Sequence, residues 1–263
     1  MIKHTFSILP GIGDKLEKRL WKIGIVTWED FLAATDIEFL STDTKRLYDA
    51  MLSEALQNLE RGNFSFFARA LKHGDHWRLF QLVRDRSVAL DIETNGGTAG
   101  NGGKVTVVGL FDGFDYKALV RGKDLSKNTL AKELSRYSYV ITFFGSVFDL
   151  PYIREIYGLS FAMPHFDLCF SGRKAGLRGG LKKVEKLLGI QRDESIKGFD
   201  GFDAVRLWDD AQRGNNHALE LLITYNRYDT INLFELADVI YQKLRAKTGI
   251  ESFTSTSYNS SLR

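Results

Sequence analysis

The residues in this chain best suited to chemistry are acids at the ends of apolar segments. In Ser87-Val-Ala-Leu-Asp-Ile-Glu93, strand alternation projects Asp91 and Glu93 from one face of an apolar run. Two carboxylates that close repel each other and raise one another's pKa unless a cation neutralises them. Carboxylate oxygens suit Mg²⁺ or Mn²⁺, whereas zinc sites usually recruit His or Cys. Taken alone, Asp-x-Glu is read more simply as a strand ending in solvated acids. A further acid, Asp149, lies in Phe144-Gly-Ser-Val-Phe-Asp-Leu-Pro-Tyr152, after the apolar stretch 139–143. An acid there also serves to cap a helix and oppose its dipole. In Tyr225-Asn-Arg-Tyr-Asp229 a spacing of four puts a phenol and a carboxylate on one helix face, an ordinary helical pair by itself.

The elements that must position these groups are legible from periodicity and punctuation. Residues 1–62 read as a small all-helical module. The turn Leu9-Pro-Gly-Ile-Gly13 precedes an amphipathic run with Leu16, Leu20 and Ile23 at helical spacing, and Gly24 stops it. Thr27 caps a second helix through Leu32, and a third spans 42–59. From residue 63 the pattern becomes mixed. Helices are expected at 65–71 and 76–84, and strands at 87–93, 104–111, 116–120 and 139–143. Helices follow at 125–135, 149–157, 181–188, 204–212 and 217–243. Strands first and helices interleaved later predict an α/β domain over 63–246, with three strands in a meander followed by crossovers. The Ser- and Thr-rich residues 247–263 read as a flexible tail.

With 263 residues, 44% of them hydrophobic and only 3 Pro, the composition is that of a core-forming protein. A net charge of +3 permits a polyanionic partner without requiring one. The single cysteine, Cys169, excludes an internal disulfide and a Cys/His metal knot, so a metal site must use oxygen. No apolar leader is visible at the start, no stretch approaches the roughly 20 apolar residues of a membrane span, and a reduced, cytoplasmic setting is the expectation.

Order and context change the reading of the acids. Strand Leu-Asp-Ile-Glu-Thr, then strand, loop and Phe-Asp-Leu-Pro-Tyr, then helical Tyr-x-x-x-Asp together resemble the DEDD exonucleases of the RNase-H-like fold, on the branch with tyrosine in its last motif. The resemblance spans roughly 66–243. It is nearest the small free-standing YprB-type domains, with the proofreading domains of family-B DNA polymerases more distant. It implies a mixed sheet, antiparallel meander plus parallel strands, flanked by helices. It also implies that Asp91, Glu93, Asp149 and Asp229 hold two divalent ions, Mg²⁺ or Mn²⁺, about 4 Å apart, one activating a water and the other stabilising the departing 3′ oxygen. Tyr225 would hydrogen-bond the nucleophilic water. The sister branch places His five residues before the last Asp; that position is Thr224 here, and His217 lies too far upstream.

Substrate contacts are expected around this site. Many relatives have Asn where this chain has Phe144, so stacking by Phe144, with Phe148 nearby, replaces a polar contact. After Glu93 the loop reads Thr94-Asn95-Gly96-Gly97, where glycines let backbone amides approach a phosphate; a flexible hairpin loop explains them equally well. Arg173, Lys174, Arg178, Lys182, Lys183 and Lys186, opposed by Glu185, either neutralise phosphates of an incoming strand or form a solvated helix face. His165-Phe166-Asp167 reads as a short strand bringing polar groups toward the site, with Asp167 either a secondary ligand or the acceptor of a structural hydrogen bond.

The segment Leu9 to Ile25 looks like a helix-hairpin-helix element, whose hairpin amides and lysines grip a phosphate backbone without reading sequence. Gly11, Gly13 and Lys15 are its candidate contacts, although the chain before Leu9 is too short for a full first helix, and a docking hairpin is the competing reading. The expectation is a 3′-5′ exonuclease that acts on single-stranded DNA and releases nucleoside monophosphates. The alternatives are an RNA 3′-5′ exonuclease and a non-catalytic nucleic-acid-binding module on a degenerate nuclease fold.

Overall fold

Helical spacing of apolar residues marks the first part of the chain and strand alternation its centre, and the structure places the boundary between the two at 82/83, beyond the 62/63 read from the sequence. A computed structural model, which describes residues 1–254, contains two units: Met1–Leu82 with residues 241–254, and Val83–Ile240.

The first unit is helical. It contains α1 (Asp14–Lys22), α2 (Trp28–Ala33), α3 (Thr42–Glu60), α4 (Phe64–Ala70) and most of the single turn α5 (Phe80–Val83). Thr27 and Asp30 close a reciprocal capping box on α2, and the Ser41 hydroxyl caps α3. Trp21, Trp28, Phe6, Phe31 and Phe67 are almost wholly buried and form its aromatic core. The place of a first hairpin helix is taken by two 3₁₀ turns, Ile2–His4 and Phe6–Ile8. The second turn is tied to α1 by Glu17, whose buried carboxylate accepts from the Phe6 amide at 2.8 Å and pairs with Arg78 at 3.0 Å. The helix expected over 76–84 is instead a 3₁₀ segment, His73–Leu79, followed by α5; Arg78, within it, is drawn into the buried pair with Glu17. Of the expected tail, residues 251–254 make a further helical turn, with Phe253 5.8 Å from the Trp21 ring, and residues 255–263 lie outside the described residues.

The second unit is the expected mixed sheet. Its strands are β1 (Ser87–Thr94), β2 (Val105–Phe111), β3 (Tyr116–Val120), β4 (Tyr139–Thr142) and β5 (His165–Asp167), in the order β3-β2-β1-β4-β5. β1, β2 and β3 form the antiparallel meander, and β4 and β5 add in parallel through crossovers. The helices are α6 (Lys127–Leu134), α7 (Asp149–Tyr157), α8 (Leu168–Ala175), α9 (Leu181–Leu188), α10 (Gly201–Gln212) and α11 (Asn216–Thr248). Alternation in the central strand divides the core. Val88, Leu90 and Ile92 pack with Leu130, Leu150 and Ile153 of α6 and α7. Val107 and Val120 face Ala204 and Trp208 of α10 and Leu222 and Tyr225 of α11. Asp91 and Glu93 alternate with the first set and so turn toward α11.

Candidate metal centre

Local rules bring each acid to one place. Asp91 and Glu93 lie at the carboxyl end of the central strand, where the ladder with β2 slips between Glu93 and Thr94, a bulge that re-aims the strand end. Asp149 is the first residue of α7, and its Oδ1 accepts the Ile92 amide at 3.0 Å, so the helix start is fastened to β1 between the two other acids. Asp229 comes from the middle of α11. Ligand oxygens of Asp91, Glu93 and Asp229 lie within 4.8 Å of one another, an arrangement able to hold a metal ion.

α11 can approach this closely because β2 carries Gly109 opposite Asp91. A Cβ at Gly109 would lie 2.1 Å from Asn226 Oδ1 and 2.4 Å from Thr230 Oγ1. Asn226, fully buried, uses both ends of its amide. Its Nδ2 donates to Asp91 Oδ2 at 2.9 Å and reaches Glu93 Oε1 at 3.4 Å, while its Oδ1 accepts from the Tyr116 hydroxyl at 2.8 Å. The sequence motifs assign no role to Asn226 or Tyr116. The available signal for Asn226 was its place three residues before Asp229, on the same helix face.

Crowding shows in the protonation equilibria. Burial, then the charge of Glu93, drives the Asp91 carboxyl well above the ordinary range. Burial, then the charge of Asp229, does the same to Glu93. Asp149 is pushed up to about 7 by burial, against the opposing pull of the Ile92 amide. Asp229 is also raised by burial, with Arg192 pulling the other way. Four acids held this way call for positive charge.

Part of that charge is Arg192, in the loop after α9. It pairs with Asp229 and grips Glu185 with Nε at 2.7 Å and Nη2 at 2.8 Å. Glu185, 2% exposed, also accepts from Asn232 at 2.9 Å. Nothing in the sequence pattern marked Arg192 out. Glu185, read there as the acid opposing a run of cations, belongs to this buried network.

Tyr225 lies on the same α11 face as Asp229, and its hydroxyl accepts from Lys182 Nζ at 2.8 Å. Lys182 also donates to the Phe199 carbonyl, so this cation is engaged at the tyrosine, whereas Arg178 is exposed. Burial, then the charges of Asp229, Glu93 and Asp91, raises the Tyr225 hydroxyl. Thr224 donates to the Glu220 carbonyl of its own helix, and His217 sits exposed near Glu220.

A cleft of about 250 Å³ opens over Asp91, Glu93, Asp149, Tyr225 and Asp229, with Phe144 and Phe148 at its rim. Phe144 takes a left-handed backbone, φ 68°, alone among the non-glycine described residues. Asp167 holds that loop: its carboxylate accepts from the amides of Phe144 and Ser146 at 3.0 Å and from the Ser146 hydroxyl, and caps α8 through Cys169 N. His165 hydrogen-bonds Thr142 at 2.8 Å, behind the same loop.

Thr94 lines the cleft and a wider, mostly apolar cavity of about 950 Å³ beside it, together with Phe148, Gly201 and Val205. Asn95 is occupied within its hairpin, accepting from Lys104 N at 2.7 Å and donating to Gly102 O at 3.2 Å. Gly96, φ 78°, packs against Val205. In the helical unit Gly11 turns with φ 80°, Gly13 is the N-cap of α1 and Lys15 is exposed on its first turn.

A family model of the RNase_H superfamily, RNase_H_2, matches residues 88–241. Among solved structures, Brucella melitensis NrnC bound to pGG is similar, at 22% identity and a TM-score of 0.46, over 67% of this chain and 82% of that one. No curated protein matches the chain. No helix of the described residues is long and apolar enough to cross a membrane.

Proposed function

The chain belongs to the RNase_H superfamily, and on that premise we propose that it is a metal-dependent 3′-5′ exonuclease of the DEDD type with tyrosine in its last motif, hydrolysing single-stranded DNA to nucleoside monophosphates. The observation that carries this reading is the convergence of Asp91, Glu93 and Asp229 oxygens within 4.8 Å, with Asp149 fastened to the strand between the first two. The donors fit Mg²⁺ or Mn²⁺, because all four are hard carboxylates and burial leaves them short of positive charge. A pair of such ions, when bound, lowers the pKa of water and stabilises the departing 3′ oxygen.

The chain's own residues do the rest. Asn226 fixes the Asp91 and Glu93 carboxylates, and the Ile92 amide fixes Asp149. Tyr225 keeps its proton and presents it as a donor to the attacking water or a phosphate oxygen. Phe144 and Phe148 offer ring faces to unstacked bases, which favours single strands over duplex. Arg173 and Arg178, both exposed, provide charge for the upstream phosphates. The turn at Gly11 and Gly13, with Lys15, adds backbone affinity in the manner of a helix-hairpin-helix element.

The test is digestion of end-labelled single-stranded DNA, duplex DNA and RNA, with and without Mn²⁺. A 3′ ladder on single-stranded DNA that needs the metal is expected, and faster digestion of RNA would move the substrate assignment. An Asp149→Ala protein that degrades the strand at the wild-type rate, or a wild-type protein that cleaves nothing, removes the reading.

A further inference from the structure

Arg192 is placed where a cation would be. Its guanidinium sits between two acids of different standing: Glu185, buried and braced by Asn232, and Asp229, one of the three carboxylates whose oxygens cluster. The grip on Glu185 uses Nε and Nη2, and the same Nη2 reaches Asp229 Oδ1. Nη1 is buried with no hydrogen-bond partner among the described residues, so Arg192 is held by ion pairing with these two acids and not by a full set of hydrogen bonds. An arginine keeps its charge at any pH the fold survives, so this positive charge cannot be titrated away.

We propose that Arg192 is a resident counter-cation that competes with a divalent ion for Asp229: it neutralises this carboxylate in the metal-free protein and sets how tightly the cluster binds metal. The inference rests on the metal-dependent reading above. Glu185 is the anchor. It keeps the guanidinium beside the cluster whether or not Asp229 is engaged, so an arriving ion has to displace one contact of a two-acid clamp. A fixed unit charge a few ångströms from a divalent site opposes binding by Coulomb repulsion, and both cations draw on the same Asp229 carboxylate. Arg192 acts through Asp229 and is a positioning residue.

Removing Arg192 alone would strand the Glu185 charge in the interior, which is strongly destabilising, so the pair is best removed together. The experiment titrates Mn²⁺ by calorimetry into metal-free wild-type protein, Arg192→Lys and the double variant Glu185→Gln/Arg192→Gln, and follows the melting temperature of each with and without Mn²⁺. The double variant is expected to bind Mn²⁺ at least about tenfold more tightly and to gain more in melting temperature on binding. Arg192→Lys, which keeps the charge, stays within about threefold of wild type. Equal or weaker Mn²⁺ binding in the double variant overturns the proposal. If all three proteins bind Mn²⁺ alike and cleave DNA, only this inference fails; if none binds Mn²⁺ or cleaves, the nuclease reading fails with it.

Discussion

Lys182 Nζ donates to the Tyr225 hydroxyl across 2.8 Å, so the phenol oxygen is already an acceptor and its one proton must point elsewhere. Burial and the nearby carboxylates raise that hydroxyl, which keeps the phenol neutral and a donor throughout the working pH range. Tyr225→Phe removes the donor without removing the ring. It is expected to lower kcat about 100-fold with little change in KM, the pattern of an interaction made in the transition state. Lys182→Met, which leaves Tyr225 in place but unoriented, is expected to cost about tenfold. Steady-state rates on a short single strand check both, and a Tyr225→Phe protein with wild-type kcat removes the assigned role.

The acid cluster makes metal-free stability depend on pH in an unusual direction. An aspartate ordinarily titrates near 3.8, and in the fold Asp149 is pushed up to about 7. Between these values the folded state binds more protons than the unfolded one, so stability falls as pH rises through the window from about 4 to 7. Asp91, Glu93 and Asp229 are raised as well and act in the same sense. The metal-free protein is therefore expected to melt at a lower temperature at pH 7.5 than at pH 5.5, and Mn²⁺ should restore the loss at pH 7.5. Melting curves at both values settle the sign. Activity should rise with pH toward neutrality, because metal binding requires the carboxylates ionised.

Gly109 decides whether α11 can reach the strand that carries Asp91. Gly109→Ala would put a Cβ 2.1 Å from Asn226 Oδ1, and the helix or the amide must move. The expected cost is about 1–3 kcal/mol of stability. Because Asn226, Tyr225 and Asp229 all ride on that helix, Mn²⁺ affinity should fall too. A variant that melts and binds Mn²⁺ like wild type would show that the contact between helix and strand is soft.

The sequence made the strand and helix of each acid legible because local rules place them: alternation for Asp91 and Glu93, a helix start for Asp149, a spacing of four for Tyr225 and Asp229. The meander and the parallel additions were legible for the same reason, and so was the short strand at His165. What escaped was set by tertiary proximity. Arg192 and Asn232 are far apart in the chain and meet at Glu185. Asn226 matters through Asp91, 135 residues away. Gly109 reads as one glycine in an apolar strand until α11 is laid over it. Locally, Gly172 interrupts the apolar pattern of α8 and hides that helix in the sequence. α10 begins at Gly201, ahead of the expected 204, although Asp200 and Asp203 form a capping box visible in the sequence.

Phe144 separates stability from substrate contact. A phenylalanine in the left-handed region costs about 1–2 kcal/mol relative to glycine, and Asp167 holds it there through the loop amides. Phe144→Gly relieves that strain, so the melting temperature should hold or rise despite the lost side chain. Phe144 is 39% exposed and its ring lies 5.8 Å from the Phe170 ring, a surface on which a base can stack. Losing one stacking contact costs about 1–3 kcal/mol, so KM for a single strand should rise about tenfold while kcat changes little. Phe144→Leu keeps the strain and loses the aromatic face, so it should show the KM effect without the gain in stability. If Phe144→Gly melts lower and its KM is unchanged, the ring serves packing alone, and single strands must be gripped elsewhere along the cleft.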